Sequence, residues 1–405
     1  MKTTKLFLML TAAIMGLLVS SCSEEDDEDV QKEANYDLSV EIKADETTSN
    51  GSVFSPIDDK NFYLDYVKYT IENGHLEVSG FDNKNLKGHV TIPATITYQG
   101  TDYKVLSICD KAFFRCSYQL TSVIIGNNVT SIGECAFDFC YKLETVMIGN
   151  GVKTIGDGAF TDCSSLKSLT IGNSVTSIGT HAFAGCSALP AIIIPNSVTS
   201  IGYRAFLNCE GAKTLVLGKN VQSIGTYAFQ NCKGLTSVEI PDGVTEVEGV
   251  FAYCKGLKSV KIPNSVITIG DYAFVGCSDL QAIDIPNSVT VVGALAFAGC
   301  KSLKSVDIPN SVIEVGSSAF LGCSELKSLT IGDQVKEIQY GAFAQCEGLE
   351  SIHCKASTPP NAQISVFTDE NDLVYSNATL YVPKGSLKAY QSAECWSNFK
   401  NIKEE

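Results

Sequence analysis

Residues 300–323 read Cys300-Lys-Ser-Leu-Lys-Ser-Val-Asp-Ile-Pro-Asn-Ser-Val-Ile-Glu-Val-Gly-Ser-Ser-Ala-Phe-Leu-Gly-Cys323. Val306 and Ile308 alternate with Ser305 and Asp307, the period-2 mark of a half-buried strand. Pro309-Asn310-Ser311 turns the chain, since proline fixes φ and asparagine tolerates unusual backbone angles. Val312 to Val315 is a second short extended piece, stopped by Gly316. Ala319, Phe320 and Cys323 then fall at helical or 3₁₀ spacing. A coil of this size has one apolar side and nothing of its own to bury it against, so it requires neighbours.

The sequence supplies them. Ala-Phe followed by Cys recurs at Cys116, Cys140, Cys163, Cys186, Cys209, Cys232, Cys254, Cys277, Cys300, Cys323 and Cys346, with a step of 23 residues apart from one of 24 and one of 22. Copies at a fixed period stack into a solenoid with a continuous core. The fold class expected is an α/β repeat solenoid with a long parallel β-sheet on one face, short second strands, short helical or 3₁₀ turns, and a cap at each end.

The pattern Leu303, Val306, Ile308, Val312, Gly316, Ala319, Phe320 and Cys323 resembles the leucine-rich repeat superfamily, in the 23-residue type of BspA-like bacterial surface proteins. The resemblance covers about residues 105–354 and implies a right-handed coil. Two copies depart from it. The one ending at Cys254 lacks a residue and has Val250 for alanine, and Gln339 replaces a glycine; a bulge or bend is expected at each.

Outside the repeats, residues 61–104 read as a β-rich N-terminal cap, with Tyr63, Val67, Tyr69 and Ile71, an Asn73-Gly74 hairpin turn, then Leu76 and Val78. Residues 355–405 read as the C-terminal cap. A loop over 355–377 leads to a strand at Ala378–Pro383 and a closing helix over Ser386–Asn398 that contains Tyr390 and Trp396. Residues 1–21 read as an export signal: Lys2 and Lys5, then an apolar run from Leu6 to Val19, too short to span a bilayer comfortably. Leu18-Val19-Ser20-Ser21-Cys22 resembles a bacterial lipobox, which implies lipidation at Cys22. Residues 22–60 read as a flexible acidic tether. Its run Ser-Glu-Glu-Asp-Asp-Glu-Asp at 23–29 resembles the signal that sends Bacteroidetes lipoproteins to the outer face of the outer membrane.

Composition narrows the function classes. The chain of 405 residues has 30 basic and 45 acidic side chains, a formal charge of −15, and only two arginines, Arg115 and Arg204. Nucleic acid is thereby disfavoured, because phosphate contacts need clustered cations. Much of the acidity lies in residues 23–60, which carry a net charge of −10. The chain's 16 cysteines divide into Cys22, the eleven of the ladder, and Cys109, Cys135, Cys354 and Cys395. The ladder cysteines face the same interior as the phenylalanines and read as small buried hydrophobes. A spacing of about 5 Å between coils keeps disulfide reach open. Zinc is disfavoured, since no CxxC pair exists and histidines are few. No cofactor is expected.

Enzymatic signatures are absent: no GxSxG, HExxH, phosphate-cradling loop or dinucleotide fingerprint occurs. His181 and His353 have no evident base or nucleophile partner, and the carboxylates Glu239, Asp284 and Asp307 read as solvent-facing residues of neighbouring strands. Binding is expected where the repeat varies. The outward position between the two buried aliphatics runs Ile124, Met147, Thr170, Ile193, Val216, Glu239, Lys261, Asp284 and Asp307, continuing to Thr330 and His353. It passes from largely apolar to largely polar at Glu239. A contiguous exposed aliphatic row suits a protein partner, although β-propensity alone also accounts for it. Tyr203, Tyr227 and Tyr272 form a weaker candidate row.

The sequence thus reads as a lipid-anchored, surface-exposed, non-catalytic binding module. The family resemblance implies adhesion to an extracellular or host protein. Glycan capture for nutrient uptake and self-assembly at the surface are the other readings; oligomeric state is left open.

Overall fold

The computed structural model describes residues 39–42 (backbone only), 52–117, 120–363, 365–368 and 373–405, all within the compact unit Asp37–Glu405. The expected signal peptide and Cys22 lie outside the described residues. Stacked coils make a parallel β-solenoid of about thirteen turns.

Each coil contributes to two ladders. The first strands stack in parallel: Ser305 pairs with Ser328 and Ser328 with Ser351, so that equivalent residues of successive repeats sit side by side. The second strands, such as Glu314–Val315 and Glu337–Ile338, form a narrower parallel ladder. Equivalent side chains coincide because a parallel register with a constant repeat length admits no offset. The apolar residues of both strands are buried, with Val306, Ile308, Val312 and Val315 all at or below 1% exposure.

The third side is built differently from the helical or 3₁₀ turn expected. Ser318 (φ 56°) and Gly322 (φ 71°) are left-handed, as are their counterparts in the other coils. A helix needs an unbroken right-handed run, so the segment forms turns instead. Its amides are directed at the next coil: Phe297 N donates to Ala319 O and Phe320 N to Ala342 O, both at 2.7 Å. The rings follow. From Phe81 to Phe367 they stack in one column, with centroids 4.8–5.8 Å apart and planes within 17°.

Glycine is required at the corner after the second strand. A Cβ on Gly316 would lie 2.6 Å from Ala294 N and from Gly293 C, because backbone there packs directly on backbone. Of the two irregular copies, the short one interrupts the second-strand ladder, which breaks between Ser223–Ile224 and Glu246–Val247. The Gln339 copy does not: Glu337–Ile338 pairs on both sides, and Gln339 Oε1 accepts from Ser317 N at 3.2 Å.

The ladders extend beyond residues 105–354. Gly88–Ile92 already pairs in parallel with Leu120–Ile125, and the Asn73-Gly74 turn joins strands Val67–Glu72 and His75–Phe81. The buried face of Asn61–Leu64 takes Phe62 and Leu64, so Tyr63 points the other way. Part of the segment read as tether is strand: Ser39–Ile42 pairs with Thr95–Tyr98, and Phe54–Pro56 with Phe62–Leu64. At the other end, residues 355–377 are more than a loop. Asn361–Ala362 adds to the second ladder, Phe367 to the ring column, and Leu373–Asn377 is a short helix. Thr379–Val382 joins the first ladder in register, and a strand missed in the sequence, Asn401–Glu404, follows it. The closing helix is short, Leu387–Ser392, with a 3₁₀ turn at Trp396–Asn398. Trp396 sets its edge against Phe367 at 5.7 Å, and its Nε1 donates to Pro360 O at 2.9 Å, which closes the end of the core.

Candidate functional site

The variable outward row is assembled by the first-strand ladder in four runs. Ile124, Met147 and Thr170 are in register, as are Ile193 with Val216, Glu239 with Lys261, and Asp307 with Thr330 and His353. Pairing lapses between the runs, and Asp284 belongs to the one first-strand segment, among the described coils, that forms no strand.

Exposure along the row corrects its apolar half. Met147 is only 2% exposed, so it offers no contact surface. Period-2 alternation sets which face it occupies, not how much lies over it. Ile124, Thr170 and Ile193 are half-buried, and Val216 alone of the aliphatics is open, at 48%. The polar half is exposed from Glu239 through Asp307. The accessible part of the row therefore begins at Val216, one coil before its character changes.

Glu239, Lys261, Asp284 and Asp307 line a groove of about 710 Å³, floored by Pro263, Pro286 and Pro309. Glu239 accepts a hydrogen bond from Lys261 Nζ, which raises the lysine's pKa. Being fully exposed, the pair anchors little. Beyond the groove the row ends in His353, whose ring stacks on Tyr381 at 4.6 Å while Nδ1 lies 3.0 Å from a carboxylate oxygen of Glu405.

The tyrosine row is partly assembled. Tyr203 and Tyr227 meet edge to face at 6.1 Å, with the Arg204 guanidinium 4.8 and 5.5 Å from their ring centres. His181 meets Tyr203 at 5.6 Å. Tyr227 lies over Gly249, and Tyr272 stands in the following coil. A second cluster went unread in the sequence: Arg115 lies over Phe114 and Phe139, at 5.1 and 5.7 Å. The signal was available, because each of the chain's two arginines directly follows an aromatic residue.

The cysteines have a bonding role. Each ladder thiol from Cys140 to Cys346 donates to the phenylalanine carbonyl one coil back, at 3.2–3.4 Å. Burial pushes Cys116 up to about 11 and Cys300 up to about 12, so these groups are thiols. Cys109, half-buried beside Glu77, is likewise pushed up to about 11. Among the described residues no group of three or more His, Cys, Asp or Glu is placed to hold a metal, and no helix is long and apolar enough to cross a membrane.

A model of the BspA type leucine-rich repeat region, six copies long, matches residues 76–213, 153–250 and 247–373. Among solved structures, a leucine-rich repeat protein from Bacteroides ovatus is 27% identical over 86% of this chain and 88% of its own, with a TM-score of 0.58. A leucine rich cell surface protein from Faecalibacterium prausnitzii is 29% identical over 78% of this chain and 97% of its own, with a TM-score of 0.43. No curated protein matches the sequence.

Proposed function

Since the chain belongs to the BspA type leucine-rich repeat family, we propose that it is a non-catalytic binding protein of the bacterial surface. Cys22 carries the lipid, the acidic segment spaces the solenoid from the outer membrane, and the first-strand face holds an extracellular or host protein. One observation supports this above others. The repeated positions are consumed by packing, whereas the row free to vary opens, from Glu239 to Asp307, into a groove. Solenoids of this kind recognise partners through such extended faces.

The test uses cells expressing the full chain, probed with labelled matrix proteins, glycans and the chain itself. Capture of a protein that is lost in cells lacking the chain is the expected result; no capture of any protein ends the reading. Cys22→Ala is expected to release the chain from the membrane fraction, and protease applied to intact cells to remove the solenoid. A second reading, glycan capture, draws on the His181, Tyr203, Arg204 and Tyr227 row, whose edge-to-face rings and guanidinium suit a sugar face. Binding of a glycan that Tyr203→Ala abolishes would favour it.

A further inference from the structure

The groove coincides with a lapse in the bonding that holds the coils together. In four corners a side chain after the first strand reaches the next coil: Asn127 Oδ1 accepts from Asn150 N, Asn150 from Asn173, and Asn196 from Lys219, each at 2.9 Å, and Asn310 from Asp333 at 3.2 Å. Among the described residues Asp242, Asn264 and Asn287 make no such bond, and all three line the groove; at two of these corners Ser265 and Ser288 Oγ donate instead to Val244 O and Val266 O, at 2.7 Å. Among the described residues, 282–285 make no backbone hydrogen bond to either neighbouring coil. This first-strand segment is held at its entry, where Gln281 N donates to Lys258 O and Gln281 O accepts from Lys304 N, while the rest of the coil stays bonded to both neighbours through Val291–Val292 and the turn side. Peptide groups that pair between coils in the flanking strands are thus left unpaired along this channel, beside the side-chain amides of Asn264 and Asn287. They would equally bond an extended chain laid there.

Charge identifies the occupant. The groove is lined by Glu239, Asp242, Asp284 and Asp307 against Lys261 and Lys355, and Lys261 is engaged by Glu239. Asp284 and Asp307, among the described residues, have no cationic partner. The chain's own segment 23–60, with a net charge of −10, is repelled by such a lining, and a second copy of this acidic chain is disfavoured too. We infer that the groove centred on residues 282–285 docks an extended, lysine- or arginine-rich segment of a partner protein. Its backbone meets the free peptide groups and the Asn264 and Asn287 amides, and its cations meet Asp284 and Asp307. This rests on the binding role proposed above and names the partner's chemistry.

The probe is a fluorescent (Lys-Ser)4 peptide titrated against the full chain by anisotropy, with (Gln-Ser)4 and (Glu-Ser)4 as comparisons. The basic peptide is expected to bind at least tenfold more tightly than either, and less tightly as salt is raised, since exposed charges are screened within about 10 Å at 0.1 M. Asp284→Lys with Asp307→Lys is expected to weaken it tenfold or more. Glu337→Lys with Glu347→Lys, an equal charge change elsewhere, should leave it within twofold. Equal binding to the Asp284/Asp307 variant, or to the neutral peptide, overturns the inference. So does displacement of the peptide by millimolar calcium at constant ionic strength, which would make this an inorganic cation site. An unchanged thermal melt for each variant separates lost binding from lost fold. If cells capture a protein partner equally well with the Asp284/Asp307 variant, the groove assignment fails and the binding role survives. If the peptide binds the groove while cells capture no protein, the reverse holds.

Discussion

The thiol of Cys300 donates to the carbonyl oxygen of Phe274 at 3.3 Å, one coil back, and that same oxygen accepts the amide of Cys277 at 3.1 Å. The contact recurs along the ladder and explains a preference that hydrophobicity alone leaves open. Cysteine fills the corner as alanine nearly would, but it also occupies the carbonyl's second lone pair. Cys300→Ala is expected to cost about 1 kcal/mol in chemical denaturation, the loss of one weak hydrogen bond and a small volume.

Those buried thiols should resist alkylation. Iodoacetamide at pH 8, followed by mass spectrometry, is expected to label Cys135 first and the ladder only after unfolding. The thiolate is the nucleophile, and burial holds Cys300 near 12. Rapid labelling of the ladder in the native chain would contradict the packing.

The ring column makes the core one-dimensional. Phe297 stacks on Phe274 at 5.3 Å and on Phe320 at 5.0 Å, so removing it weakens two interfaces at once. Phe297→Ala is expected to cost about 3–5 kcal/mol and to split unfolding into two transitions, as coupling between stacked repeats is lost.

Two neighbouring substitutions should have opposite signs. Gly316→Ala forces a methyl into backbone 2.6 Å away and is expected to cost about 1–3 kcal/mol. Ser318→Gly, at a φ of 56°, relieves a left-handed residue and is expected to gain about 0.5 kcal/mol, the strain removed less the entropy of glycine. Thermal melts of both decide the point.

Asp138 is 7% exposed, and its Oδ1 has no hydrogen-bond partner. Burial, with repulsion from Asp162, pushes its carboxyl up to about 6. The folded state thus holds a proton that the unfolded state releases near pH 3.8. Stability contributed by this group is full below that value and falls as pH rises towards 6. Asp138→Asn should flatten the pH dependence of the melting temperature between pH 4 and 6.5 and raise stability at pH 7.

Much of this was legible in advance because each repeat states its own burial. Val306, Ile308 and Phe320 sit where the alternation and the spacing to Cys323 put them, and a constant period converts one coil into all. The turn side was misread, since apolar spacing of three residues is shared by helices and by turns with left-handed residues at Ser318 and Gly322. Met147 was misplaced because alternation is silent on what covers a face. Spacing shows the tyrosines as a row, whereas the contact of Arg204 with Tyr203 and Tyr227 depends on how their two coils stack.

Sequence alone determined the coil and its interior, because these follow from local periodicity repeated in a parallel register; the turns added beyond residues 105–354 at both ends came from the tertiary structure. The groove did not follow from it. Residues 281–285 read Gln-Ala-Ile-Asp-Ile, as good a strand as Ser305–Ile308. Whether such a segment pairs depends on how two neighbouring coils are spaced, a cooperative property of the stack that no single repeat encodes. Tertiary structure withheld that pairing at Asp284 and so turned peptide groups, amides and carboxylates into one open channel.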